Sequence, residues 1–403
     1  MSPPGDRERM AEPTPSRKPA RRGRKLLFGV IALAVGLVGA LVVAEIALRI
    51  WDPLRLPHED TRGFYRLDGE GRIETTPGWT NTQYVDGAAI AVHMNALGLR
   101  GPELGPEQPG ERRVLMLGDS FVFGLGVADD ATIPARLEQQ LRAAGEKVAI
   151  GNAGMFGTGP REWSYTLERH RPAFHPDAVV AVMYVGNDVQ DSLMDPLSVV
   201  DGWLMISGSG ELQKSWRFRL RLWSRLWNYV ERLFSKAKIE ELVLETVVRN
   251  TKNYQNREGK HYHLGEAVYL DRDPARDAEE PLIGRTEAVL DGFFAQFAAA
   301  CKGLPAIVVL LPAHEVALRD YGEILAGFGF DPALYERGRG HQRIRRLLAA
   351  HGLEVVDLTD RILAEPDRRS LYLKQDWHFS AKGCRRVADW LRPEIERLLA
   401  QVK

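Results

Sequence analysis

Apolar residues follow three patterns along this chain. The first is one unbroken run, Leu26 to Ala44, of 19 uncharged and mostly apolar residues. At about 1.5 Å of helical rise per residue, a run of that length crosses a bilayer. The second is a set of short runs at 113–117, 148–150, 178–184, 306–311 and 354–358, each of strand length and bounded by turn residues. The third is helical spacing at 133–144, 162–170, 286–301, 335–351 and 381–399, with apolar residues recurring every three or four positions. Short buried strands separated by amphipathic helices predict an α/β fold with a parallel central sheet covered on both faces. In such sheets, ligands sit at the carboxyl ends of the strands.

What flanks these patterns sets the domain organisation. Residues 1–25 are rich in Pro and Arg with almost no apolar content, which predicts a disordered basic segment. Arg17, Lys18, Arg21, Arg22, Arg24 and Lys25 precede the long run, whereas Glu45, Arg49 and Asp52 follow it with mixed sign. The positive-inside bias therefore places the N-terminus in the cytoplasm and the rest of the chain across the membrane, periplasmic or at the cell surface. Val42 and Ala44 fit a signal-peptide cleavage site, but the basic region and the apolar run are both too long, so 26–50 is expected to remain as an anchor. Ala32, Gly36, Ala40 and Ala44 fall four apart on one face, a row of small residues able to pair two anchors in a homodimer.

Residues 51–111 read as an extracytoplasmic connector packed on the next domain, with strand-like pieces at 80–85 and 88–94 suggesting a hairpin. Residues 112–403 form the α/β domain, interrupted at about 189–283 by an insertion longer than an ordinary loop.

Composition narrows the function classes. The chain is 44% hydrophobic and 27% charged, a globular balance, and its net charge of zero argues against a nucleic-acid partner. Cys301 and Cys384 lie far apart in helix-like contexts and read as buried small hydrophobes, with a disulfide left open. The sequence contains no His-Glu-x-x-His stretch, cysteine cluster or phosphate-binding glycine loop, so neither a metal nor a cofactor is expected.

The candidate chemistry lies in four short blocks. Gly118-Asp119-Ser120 ends the run Val114 to Leu117, with Gly124 and Gly126 letting the chain bend closely past the serine. Gly151-Asn-Ala-Gly-Met-Phe-Gly157, Gly186-Asn187-Asp188 and Asp376-Trp377-His378 follow in order. Alone, Gly-Asp-Ser is an ordinary turn tripeptide. All four blocks, however, fall just after strands or just before the last helix, so they can converge on one sheet edge. Together they resemble the SGNH (GDSL-type) hydrolases, over 113 to the C-terminus apart from the insertion.

That resemblance implies a flavodoxin-like three-layer α/β/α domain and a serine esterase. Ser120 is then the nucleophile, His378 the base, and Asp376 the carboxylate that orients the imidazole. The family usually places that acid three residues before the histidine, and here it stands two before. In an extended segment, residues two apart point the same way, so Asp376 can still reach the ring. The resemblance also assigns the oxyanion donors to the backbone N–H groups of Ser120 and Gly154 and the side-chain amide of Asn187. Val122 excludes the Gly-x-Ser-x-Gly elbow of α/β-hydrolases.

Within the insertion, Trp216, Leu220, Trp223, Trp227, Val230 and Phe234 recur at helical spacing beside Arg217, Arg219, Arg221 and Arg225. An amphipathic helix over 216–238 fits three readings: a membrane-interface helix, a lid for an acyl chain, or a helix packed on the domain. The substrate expected for the whole is a small acyl ester or an acylated saccharide or lipid. Transfer of the acyl group to an envelope polysaccharide, and a non-catalytic binding module, are the alternatives.

Overall fold

The computed structural model describes residues 21–51, 63–85, 88–193, 196–200, 203–206, 216, 220, 223–234, 254–255, 261–262, 267–273, 275, 281–327, 330–374 and 377–402. In chain order the elements begin with α1 (Arg21–Ile50) and two antiparallel hairpins, β1–β2 (Tyr65–Leu67, Ile73–Thr75) and β3–β4 (Thr80–Val85, Ala88–His93). Next come β5 (Arg112–Gly118), α2 (Ser120–Phe123), α3 (Ile133–Ala143), β6 (Val148–Gly154), α4 (Pro160–Phe174), β7 (Ala178–Tyr184) and α5 (Asp188–Leu193). The insertion adds hairpins β8–β9 (Leu197–Val200, Trp203–Ile206) and β10–β11 (Tyr254–Gln255, His261–Tyr262), with α6 (Arg225–Phe234) between them. The chain then runs through α7 (Pro281–Ala300), β12 (Ala306–Leu311), α8 (Arg339–Ala350), β13 (Glu354–Asp357) and α9 (Ala381–Leu399). Contacts group these elements into two units, Met1–Leu54 with Trp216–Lys236, and Arg55–Ser215 with Ala237–Lys403.

The larger unit is built on a five-stranded parallel sheet of order β13-β12-β7-β5-β6. Strand alternation sends Val114, Met116, Ile307 and Val309 to one face, where Ile133, Leu137 and Leu141 of α3 and Val387, Leu391 and Ile395 of α9 cover them. Leu115, Leu117, Val308 and Leu310 point to the other face, against Trp163 and Leu167 of α4, Leu290 and Phe294 of α7, and Ile344 and Leu348 of α8. Burying each such side chain stabilises the fold by about 1.5–3 kcal/mol, so two continuous apolar layers hold the sheet. This is the three-layer α/β/α arrangement the sequence predicts. The two cysteines are free and buried, Cys384 in the first layer and Cys301 in the second.

Element boundaries depart from the sequence pattern where glycine or capping decides them. β6 extends past residue 150 to Gly154, because Gly151 to Gly154 stay paired with Leu115 to Gly118 of β5 although they are not apolar. α4 starts at Pro160, where Glu162 accepts the N–H of Gly159 at 2.9 Å. α8 starts at Arg339, after Gly338 turns the chain with a φ of +85°. From β5 the chain moves to one side for β6 and to the other for β7, β12 and β13, so β5 is the topological switch strand.

The segment before β5 packs on the turn that follows it. Phe64, Tyr65, Ile73, Val92 and Met94 form a third apolar cluster with Phe123, Leu125 and Met155. The Arg100 side chain is fully buried and donates to the carbonyls of Phe123 (2.8 Å), Gly124 (2.6 Å) and Val127 (2.6 Å), and pairs with Asp129 at 2.9 Å.

The smaller unit contains α1 and α6. Lys25–Ile50 of α1 is long and apolar enough to cross a membrane. Ser224 precedes α6 and accepts the N–H of Trp227 at 3.0 Å. Glu45 of α1 in turn accepts from the Ser224 hydroxyl (2.8 Å) and from the N–H groups of Arg225 and Leu226 (2.9 Å each), while Arg49 donates to Glu45 and to the carbonyl of Trp223.

Candidate active site

Ser120 opens α2 at the carboxyl end of the switch strand. The helix forms there because Asp119 caps it, its Oδ1 accepting the N–H of Phe121 at 2.9 Å, and because Gly124 closes the single turn in the left-handed region at φ +83°. Gly118 permits the approach to that turn. A methyl group on it would lie 2.5 Å from Val122 Cγ2 and 2.9 Å from the carbonyl of Val182. Glycine is therefore needed just before the serine for lack of space.

His378 lies in the loop leading into α9, and its Nε2 stands 2.7 Å from Ser120 Oγ. The two residues are 258 positions apart in sequence, and both are buried. Asp119 Oδ2 also faces Ser120 Oγ, but at 3.4 Å, so the imidazole is the better-placed acceptor for the hydroxyl proton. The Phe121 ring supports the imidazole at a centroid distance of 5.0 Å, and is itself stacked on Tyr184 at 4.2 Å and edge-on to Phe379 at 5.0 Å. Asp376 lies outside the described residues.

Asn187 follows β7 and enters α5. Its Nδ2 donates to Asp191 Oδ2, one helical turn on, at 2.7 Å. Gly186 lets the chain turn there, because an added methyl would lie 2.4 Å from the Tyr184 ring.

Gly154, to which the resemblance assigns an oxyanion donor, lies at the end of β6. Its N–H donates to the side-chain Oδ1 of Asn152 at 3.0 Å, inside the buried end of β6. Glycine is needed there for packing, since an added methyl would fall 2.1 Å from the backbone nitrogen of Phe123. The loop after β6 begins only beyond it, and Gly157 in that loop has a φ of +75°.

Four carboxyl groups lie at this edge, Asp119, Glu162 and Asp188 buried and Asp191 half-buried. Burial lifts Asp119 to about 7, Glu162 to about 7 and Asp191 to about 8, and burial together with neighbouring Asp119 and Asp191 raises Asp188 well above the ordinary range. Asp188 Oδ2 accepts the N–H of Tyr184 at 2.9 Å. Among the described residues no group of His, Cys, Asp and Glu is arranged to hold a metal.

Several residues at the site carry no sequence motif. Tyr184 accepts the N–H of His314 at 2.8 Å, just past β12, and the His314 ring lies 5.5 Å from Trp377. Trp377 is 54% exposed beside His378 and forms the rim of the site. His314 sits directly after a strand, the same placement that singled out the other blocks. Phe121, Asp191 and Arg100 act through contacts, and a sequence pattern gives no sign of them.

Against known proteins, residues 116–386 match the model of the GDSL-like lipase/acylhydrolase family. No curated protein matches. Among solved structures the chain is similar to the lipase/acylhydrolase from Enterococcus faecalis, at 14% identity over 71% of this chain and 96% of that one, with a TM-score of 0.35. It is similar also to TesA (11% identity, 71% and 99% covered, TM-score 0.37) and to a Clostridium thermocellum family 3 carbohydrate esterase (12%, 73% and 100%, 0.34). Ser120, Asn187 and His378 all fall inside the matched span, and the chain belongs to the GDSL-like lipase/acylhydrolase family, as a serine hydrolase acting on ester bonds.

Proposed function

We propose that the protein is a membrane-anchored, extracytoplasmic esterase that cleaves a carboxylic ester through an acyl-serine intermediate. The observation that carries this reading is the 2.7 Å contact between His378 Nε2 and Ser120 Oγ at the carboxyl end of the switch strand. His378 takes the hydroxyl proton as Ser120 Oγ bonds to the ester carbonyl carbon, and returns it to the leaving alkoxide as the ester C–O bond breaks. Water, deprotonated by the same imidazole, then attacks the acyl-serine and releases the carboxylic acid.

The oxyanion is held by the Ser120 N–H and the Asn187 amide, with the glycine donor of the second block shifted from Gly154 to Gly157 in the loop beyond β6. Asp376 remains the proposed orienting carboxylate for His378. The apolar helix α1, with its basic N-terminal flank, supports anchoring with the catalytic unit outside the cytoplasm.

Release of p-nitrophenol from p-nitrophenyl acetate by the full chain in detergent tests the reaction. The native protein is expected to turn over, and Ser120→Ala to lose on the order of 10³-fold or more in kcat/KM. A native protein no faster than Ser120→Ala would defeat the esterase reading. A serine-dependent rate that appears only when a saccharide acceptor is added would replace hydrolysis by acyl transfer.

A further inference from the structure

The insertion helix α6 belongs with α1 and not with the catalytic unit. Its first turn is latched by Glu45, which takes the Ser224 hydroxyl and the N–H groups of Arg225 and Leu226, three donors some 180 residues away in sequence. Arg49 completes the latch through the carbonyl of Trp223. These contacts satisfy N–H groups that have no partner within a helix's first turn, and they set a carboxylate where the helix dipole favours it.

The latch lies at a defined level. The 19 residues from Leu26 to Ala44 span about 28 Å as a helix, close to the hydrocarbon thickness of a bilayer. Glu45, Arg49 and Trp51 thus follow the span at the boundary, the depth at which tryptophan and long cationic side chains are favoured. Every side chain from Leu26 to Val43 is exposed, and partial cover appears only at Ala44, Glu45 and Leu48. A helix of the length of α6 laid along the span would cover part of it, so α6 does not run back along the apolar stretch of α1.

Among the described residues of this element, the exposed ones are apolar or aromatic. Trp216 is 60% exposed, Trp223 53% and Val230 38%, and Trp223 and Val230 are seven residues apart, two turns of helix. Trp216 meets Trp227 edge to face at 5.7 Å. Arg217, Arg219, Arg221 and Arg225 fall in the same stretch of sequence.

We propose that α6 and the tryptophans before it bind the headgroup and upper acyl region of the bilayer, latched by Glu45 at the level where α1 leaves it. The inference rests on reading α1 as a membrane span. Its chemistry is that of an interfacial amphipathic helix, with the indole rings of Trp216 and Trp223 at the glycerol level. The helix is thereby a membrane foot.

Depth-resolved fluorescence on the full chain tests it. An environment-sensitive fluorophore is placed at Trp223→Cys, or separately at Gly36→Cys, in vesicles of phosphatidylcholine and phosphatidylglycerol. Nitroxide lipids labelled near the glycerol backbone or near the chain end act as quenchers. The probe at 223 is expected to lose most of its emission to the shallow nitroxide and little to the deep one, and the probe at 36 the reverse. Glu45→Ala is expected to abolish quenching at 223 and leave it intact at 36, with turnover of p-nitrophenyl acetate unchanged as the sign of an intact catalytic unit. A probe at 223 that no lipid quenches, with 36 quenched normally, overturns the inference and leaves the anchor standing. Absence of quenching at 36 overturns both. Shallow quenching at 223 that persists in Glu45→Ala removes the latch.

Discussion

Asn187 has two amide hydrogens, and Asp191 holds one of them. A free asparagine amide can present either its NH2 or its oxygen to a substrate, and only the NH2 stabilises an oxyanion. With Nδ2 tied to Asp191, the second hydrogen has a fixed direction, so in the proposed mechanism Asp191 is a positioning residue. Asp191→Ala is expected to lower kcat on p-nitrophenyl acetate about tenfold with little change in KM, and Asp191→Asn, which keeps an acceptor oxygen, to restore most of it. Asn187→Ala is expected to cost roughly 10²- to 10³-fold. Adding Asp191→Ala to it should cost nothing more, because the two act as one unit. Additive losses would mean that Asp191 acts elsewhere.

At the scale of elements, the nucleophile turn is held from outside its own strand. Arg100 gathers the carbonyls of Phe123, Gly124 and Val127, which follow Ser120 and which α2 is too short to satisfy. Arg100→Met keeps the apolar stem but removes the shared donor, leaving the carbonyls of Phe123 and Gly124 only the Asn152 amide (3.4 Å) and the Val127 N–H (3.2 Å), and Asp129 only His93 (2.6 Å). It is expected to destabilise the catalytic unit by about 1–3 kcal/mol in chemical denaturation, and to lower kcat more than it raises KM. A variant of native stability would show that the connector merely covers the turn.

This contact also marks what the sequence could show. Ser120, Asn187 and His378 stand out in the sequence because each lies in a short block at the end of a strand or the start of the last helix, and the structure brings Ser120 and His378 to 2.7 Å. Arg100 does not stand out, because an arginine in a connector rich in Pro, Gly and charge looks the same solvated or buried. Gly154 is hard to place from sequence for a related reason: whether a glycine serves a turn, an N–H or a close contact depends on the neighbour it meets, here Phe123. The strands were legible from apolar runs, except the end of β6, where pairing with β5 replaces apolarity as the cause.

For the whole molecule, the buried carboxyl groups couple folding to pH. Asp119, Glu162 and Asp191 rise from ordinary values of 3.8, 4.5 and 3.8 to about 7, 7 and 8 in the folded state. Between those limits the native protein binds more protons than the unfolded chain, so the stability these groups contribute is full only below the unfolded values and is lost progressively until pH passes the folded ones. The temperature of half-unfolding is therefore expected to drop as pH is raised from about 5 to about 8, and Glu162→Gln to flatten that slope. A midpoint that climbs over this range would contradict the assignment.

The two free cysteines give the architecture another consequence. Cys384 is sealed in one helical layer and Cys301 in the other, with the sheet between them. A thiol reagent reaches either sulfur only when its own layer opens, so the two alkylation rates time the breathing of the two halves of the core separately.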